Sequence, residues 1–462
     1  MNIQAVKYPS VLLIALMAAS TAALFFIPHP LVLFGLPVAV FAGWFALRFP
    51  FYICLGFIVF SFFRIHEAFP VLLPLRIPQL LALGSFAVIG WHLFVSKRMS
   101  VYWAPNLSLF IGFFLLVTAG ALLATDRASA IGAITGSYSK IMIMVFAIAW
   151  LTRNTQDFEK AGMFFAIAGA LIGCVAIFNK LNGIGLVEGT RVTIGRNIGS
   201  MIGDPNDLAL VLTFPLSFAL SFVITPGYKR YQKLFFALIY LCIAWAIIST
   251  QSRGGLLGMV SVTGIAAWRL STNKLAVIAL GVVALAVLVA VAGISDRSSG
   301  GAAEQGVDES AMGRIYAWEA AIKMAVSRPI SGVGIDNFYA NYYFYSSHWD
   351  GKNHAVHSTW FQVLAETGFL GFCVFVWLVK RTFGSITGSL NKLSEKRGAY
   401  PPAMLMMAQA LFSGLVGFCI SGTFLTQGFI WPFYILFALS VALERYLNQS
   451  HNSGSSTIHA KQ

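Results

Sequence analysis

Apolar runs of about 17–25 residues recur along almost the whole chain, and that recurrence leaves few folds open. As a helix, such a run crosses a hydrocarbon layer with every backbone group hydrogen-bonded within the segment. Composition agrees. Of 462 residues 58% are apolar and only 10% charged, where a soluble chain carries about a quarter charged residues. Fourteen candidate spans fall near residues 9–27, 31–47, 49–63, 78–95, 104–124, 129–151, 161–179, 206–224, 234–250, 254–270, 275–294, 357–379, 402–424 and 428–444. The third and the final pair are short enough to be re-entrant. The predicted fold is an all-α polytopic membrane protein of about 12–14 transmembrane helices. The apolar stretch after Lys7 reads as a first span, because no small-residue cleavage site follows it.

Orientation follows from the basic residues. With the N-terminus inside, 18 of the 31 Lys and Arg residues fall in inward segments, and five of the other 13 lie in one long outer loop where the rule counts for little. Both termini are therefore expected in the cytoplasm. Five sections follow: N-terminal helices (1–180), helices with arginine-bearing outer loops (181–294), the long outer loop (295–356), C-terminal helices (357–445) and a cytoplasmic tail (446–462).

The net charge of +14 does not point to nucleic acid, since the basic residues are scattered through short loops without aromatic interleaving. Cys54, Cys174, Cys242, Cys373 and Cys419 all lie in apolar spans without ligand-like spacing, and read as buried thiols. No cofactor or metal is expected.

In the long loop, residues 295–309 are rich in Gly, Ser and acids. From Ser310 the residues Ile315, Trp318, Ala321 and Ile322 recur at helical spacing, which predicts an amphipathic helix at the membrane surface. Pro329 ends it, Gly332-Val333-Gly334 makes a turn, and an aromatic stretch (Tyr339 to Trp349) suits either an interfacial belt or sugar stacking.

This topology brings three polar segments to the outer face. Asp204-Pro205-Asn206-Asp207 reads as a helix start that holds Arg191 and Arg196 near the membrane surface. In Ser252-Arg253-Gly254-Gly255, Arg253 is either an interfacial arginine snorkelling to headgroups or half of a diphosphate cradle. In the second reading two glycines allow close backbone approach and the helix start favours an anion. His357 sits at a helix N-terminus, which disfavours imidazolium and suits a proton acceptor. His354 ranks second. Glu366, nine positions on and on the opposite face, reads as a structural contact.

Taken in order, these motifs resemble the O-antigen ligase and polymerase superfamily of bacterial membrane proteins. The likeness covers about 190–380: Arg196-Asn197-Ile198-Gly199 to Pro205-Asn206, Ser252-Arg253-Gly254-Gly255, Arg314 with Trp318, Pro329 to Phe338, and His357-Ser358-Thr359-Trp360-Phe361-Gln362 with Ala365-Glu366-Thr367-Gly368. The resemblance implies a metal-independent inverting glycosyltransferase of the inner membrane, working at the periplasmic face. Its donor would be an undecaprenyl-diphosphate-linked glycan. Its acceptor would be lipid A–core in a ligase, or a second lipid-linked glycan in an O-antigen or exopolysaccharide polymerase. His357 would activate the acceptor hydroxyl. Arg253 and an arginine of the earlier loop would bind the diphosphate, with Arg314, His354, Gly254 and Gly255 as further candidates. Arg196 stands one residue further from Pro205 than the family's pattern, so Arg191 competes for that role. A flippase or transporter is the rival class; no internal repeat or mid-span ionisable cluster favours it.

Overall fold

A computed structural model describes residues 18, 21, 22, 32–97, 99, 101–291, 309–396 and 398–459; for 32–36, 289, 291, 309–311 and 450–459 it describes the backbone alone. The first expected span, apart from those three residues, and the Gly/Ser-rich start of the long loop lie outside this set. The helices are α1 (Val32–Arg48), α2 (Pro50–Phe62), α3 (Ile65–Ala68), α4 (Ile77–Gly90), α5 (Pro105–Leu122), α6 (Arg127–Leu151), α7 (Thr155–Leu181), α8 (Pro205–Ile224), α9 (Arg230–Thr250) and α10 (Arg253–Leu270). They continue with α11 (Lys274–Val291), α12 (Glu309–Ser327), α13 (Phe338–Tyr345), α14 (Thr359–Glu395), α15 (Pro402–Ser421) and α16 (Trp431–His459). The architecture is an all-α polytopic membrane protein; among the described residues the only extended pairing is an isolated bridge, Val187 to Arg191.

Eight described helices are long and apolar enough to cross a membrane, or nine with α1–α2, whose axis bends by 106°. The bend falls where Pro50 follows Phe49, as proline disfavours helix at the residue before it. The sequence offers more candidates than this because α10 carries Arg253 and Arg269 near its two ends and α16 is apolar only in its first half. In addition, α11 counts as a shorter apolar helix over Lys274–Leu288, and the first expected span lies, apart from residues 18, 21 and 22, outside the described ones. Helix α14 runs well past the expected end near 379, and α16 continues through the predicted tail to His459.

Among the described residues two compact units are present: those up to 57 with those of 78–100, and those of 58–77 with those from 101 onward. In the smaller, the His92 ring bonds the Leu47 carbonyl (2.9 Å) and Ser96 (2.8 Å). In the larger, α8 is the central helix, with 78% of its apolar window buried. Small residues let its neighbours approach. A Cβ on Gly169 of α7 would lie 2.4 Å from Pro215, and one on Gly255 of α10 would lie 2.4 Å from Ala209.

The long loop folds onto the bundle. Helix α12 buries Ala317, Ala320, Ala321, Met324 and Ala325, while Ile315 (48%) and Ile322 (45%) stay exposed. Of the expected apolar stripe, the two isoleucines face away from the protein, while Ala321 lies on the buried face with Trp318 packed against it. The buried face packs in one core with Val333, Phe338, Val356 and Ala365, the last from α14, and close approach selects alanine over the larger isoleucine. The turn after Pro329 fits a break in α14 at Gly368 (φ 67°). The Phe369 amide donates to the Pro329 carbonyl (2.8 Å), Val333 to Ala365 (2.9 Å) and Gly334 to Glu366 (3.2 Å). A Cβ on Gly368 would lie 2.5 Å from the Pro329 oxygen, so glycine is needed there for space as well as for φ. On its other side the turn is latched to the α5–α6 connection. Asn337 Oδ1 accepts from Thr125 Oγ1 (2.8 Å) and the Asp126 amide (2.7 Å), and its Nδ2 donates to the Asp126 carbonyl (3.1 Å).

The cysteines depart from the expectation of burial. They are free, but Cys54 alone is buried, and Cys174 and Cys373 are exposed. Their positions fall on outward faces of α7 and α14, where an apolar thiol is at no disadvantage in a hydrocarbon surround.

Candidate functional site

Three helix ends meet at one end of the large unit. Helix α9 stops at Gln251, whose left-handed backbone (φ 52°) turns the chain straight into α10. The last carbonyls of a helix need partners. Arg191 Nε donates to the Thr250 carbonyl (3.2 Å) and the Val192 amide to the Ser249 carbonyl (3.2 Å). Thr190 adds a bond to Gln251 Oε1 (2.9 Å). The 190–192 segment is thus a cap on α9.

Asp204 caps α8, accepting from the amides of Asn206 (2.7 Å) and Asp207 (3.4 Å), with Pro205 in the first turn. Asn206 then joins all three ends. Its Oδ1 accepts from Arg191 Nη2 (3.1 Å) and from Ser252 Oγ (2.9 Å), while the Ser252 hydroxyl oxygen caps α10 by accepting from the Gly255 amide (3.2 Å).

The candidate arginines are placed differently. Arg191 is buried (6% exposed) against Thr250, Asn206 and Glu188, the last at 3.8 Å. Arg196 is exposed and bonds the Gly203 carbonyl (3.2 Å) within its own loop. Arg253 is half-buried at the first helical position of α10. The room freed by the two glycines after it is filled by protein, Ala209 for Gly255 and Phe424 with Leu425 for Gly254. The Gly255 amide is taken up by the Ser252 cap, so both glycines serve close helix packing and Arg253 offers the side-chain donors at this helix start.

His357 occupies a left-handed position (φ 47°) just ahead of the Ser358 N-cap of α14. Both flanks are pinned. The Val356 carbonyl accepts from Trp318 Nε1 (3.1 Å), and Trp318 stacks on Phe361 with ring centroids 5.0 Å apart. On the other side Thr359 bonds the carbonyls of Gly422 (2.7 Å) and Leu425 (2.8 Å), and Gln362 accepts from the Gly428 amide (2.9 Å). Leu425 is also the neighbour of Gly254, so Gly254 and Thr359, one and two positions from Arg253 and His357, adjoin the same 422–428 connection.

Burial lowers the pKa of His357 from its ordinary value, and the Arg314 guanidinium lowers it further; Asp204 opposes this and His354 adds to it. These partners place Arg314, His354 and the α8 cap within electrostatic reach of His357. His354 is already engaged: Nε2 pairs with Asp350 (2.8 Å) and its ring lies edge-on to Tyr342 (5.3 Å). Among the described residues no hydrogen bond engages the His357 ring. Glu366 is structural, as read from its position, but its partner is the loop: Oε1 accepts from the Phe338 amide (3.3 Å). Of the aromatic stretch, Tyr342 is buried while Tyr339, Tyr343 and Phe344 are more than half exposed.

Sequence reasoning missed the joining role of Asn206 and the Asn337 latch, although both lie in quoted motifs. It also missed Glu67, whose carboxylate accepts from Ser200 Oγ near Arg196; the polar run Arg64 to Glu67 between apolar segments was its signal. Among the described residues no three His, Cys, Asp or Glu side chains are grouped as metal ligands.

Residues 236–376, less than a third of the chain, match the family described as O-antigen ligase. The matched stretch holds Arg253, Arg314 and His357, and it supports the O-antigen ligase and polymerase superfamily and an O-antigen ligase-like glycan transferase. No curated protein matches the chain.

Proposed function

We propose that the protein transfers a glycan from undecaprenyl diphosphate to an acceptor hydroxyl at the periplasmic face of the inner membrane, as an O-antigen ligase with lipid A–core as acceptor. The observation that carries this reading is that the segments bearing Arg253 and His357 meet one short connection through Gly254 and Thr359, with Arg314 in electrostatic reach of the histidine. Its chemistry needs a proton acceptor beside cations. His357, held neutral, takes the proton of the acceptor hydroxyl. The oxygen attacks the anomeric carbon from the face opposite the diphosphate, the C–O bond to the diphosphate breaks, and the configuration inverts. Arg253 and Arg196 stabilise the departing charge, with bidentate geometry favouring guanidinium. No metal step is required. A general base contributes about 10²–10⁴-fold.

The test is transfer by the purified full chain in detergent, with EDTA present. Lipid A–core product is expected, falling at least about 100-fold in His357→Ala and also in Arg253→Ala. A ladder grown from lipid-linked glycan alone makes the protein a polymerase. Donor binding without product from either acceptor supports transport instead.

A further inference from the structure

We infer that Glu67 is a positioning residue for the loop that carries Arg196, so that residues 64–67, far outside the matched stretch, help to build the donor side of the site. The inference rests on the diphosphate role proposed for Arg196. Loop 195–203 turns twice through left-handed glycines, Gly195 (φ 66°) and Gly199 (φ 68°). It closes on itself: the Ser200 amide donates to Gly195 (3.1 Å), Gly203 to Ser200 (2.9 Å), and Arg196 Nη1 to Gly203 (3.2 Å). Among the described residues, the hydrogen bond that ties this loop to a distant part of the chain runs from Ser200 Oγ to Glu67 Oε2, 133 positions away.

Glu67 is itself held in place. Its side chain is 13% exposed; Oε1 pairs with Arg64 Nη1 (2.8 Å) and lies 3.5 Å from His66 Nε2. Arg64 has a left-handed backbone (φ 52°), uncommon for a residue with a side chain and costly to keep. Arg64 Nε and His66 Nδ1 are buried without hydrogen-bond partners, a further cost concentrated around one carboxylate. The pair with Arg64 occupies one carboxylate oxygen and turns the other to Ser200. The 58–77 segment also packs with the large unit, whereas 78–100 belongs to the small one. Without this tie, the Arg196 loop is held by the Ile194–Ile202 hydrogen bond (3.0 Å) and the buried Ile202 at its far end, and the two glycine turns around Arg196 lose their hydrogen bond to the 64–67 segment.

The experiment is a double-mutant cycle on the full chain in detergent, reading kcat and donor KM with an undecaprenyl-diphosphate glycan. Glu67→Ala and Ser200→Ala are each expected to raise donor KM roughly tenfold, the scale of one hydrogen bond to a charged group, with kcat little changed. Glu67→Asp should recover part of the loss. Arg196→Ala combined with Glu67→Ala should be no worse than Arg196→Ala alone. Additive losses, or a fall in kcat that tracks a fall in Tm, overturn the inference. Should Glu67→Ala fail to fold, Ser200→Ala decides, since it leaves the Glu67–Arg64 pair intact. A raised KM in Arg196→Ala beside an unchanged KM in Ser200→Ala overturns the inference alone. No change in Arg196→Ala overturns the reading beneath it as well.

Discussion

Arg191 and Arg196 are five positions apart, yet they answer to different forces. Arg191 satisfies a helix-end carbonyl and the Asn206 amide oxygen from a buried position. Arg191→Ala is therefore expected to cost about 1–3 kcal/mol by leaving buried acceptors unpaired, read as a lowered Tm in detergent. Arg196→Ala should leave Tm almost unchanged and weaken donor binding. Which arginine is buried was not legible in the sequence, since both lie in one polar loop; it depends on where α9 ends in space. His357 gives a pH prediction of definite sign. Burial and Arg314 lower its pKa, so the base form persists to lower pH than in a free histidine. The acidic limb of kcat/KM should fall below about 6.5. Arg314→Gln removes a nearby positive charge, so imidazolium becomes easier to form and the limb should move to higher pH. An unmoved limb would separate Arg314 from His357.

Elements of this fold are held together by absence of side chain as much as by hydrophobicity. Gly169, Gly255 and Gly417 each have a neighbour within 2.5 Å of where a Cβ would stand. Gly255→Val is expected to cost about 1–3 kcal/mol or more by overpacking α10 against Ala209, seen as loss of folded protein before any change in donor affinity per folded molecule. The helices themselves were legible because apolar length is a strong signal, and the cap at Asp204 followed from residue type. The protein-facing side of α12 was legible only in part, through Ala321 and Trp318. Ile315 and Ile322 carry more hydrophobicity than Ala317 and Ala320, but close packing on α14 selects the small residues, and hydrophobic periodicity cannot see size.

At the scale of the whole molecule, the candidate site is assembled from segments that are remote in the chain. Three of them, the loop before α8, the start of α10 and the start of α14, were visible as motifs. The ties between them were not, because a hydrogen bond such as Ser252 to Asn206 leaves no spacing pattern in the sequence. Transfer is expected to continue in EDTA, with product measured against a metal-supplemented control; a loss restored by one divalent ion would displace the arginine-based reading. The Gly368 break has a consequence for how the protein is made. The turn at Pro329–Gly334 is complete only when residues 365–369 of α14 are in place to receive it, while its other partner, Thr125–Asp126, leaves the ribosome some two hundred residues earlier. Closure of a contact so distant in the chain is slow. The Thr125–Asp126 connection must therefore wait for its partner through some two hundred residues of synthesis, and a nascent chain stalled before α14 would hold every candidate arginine yet lack the second wall of the site.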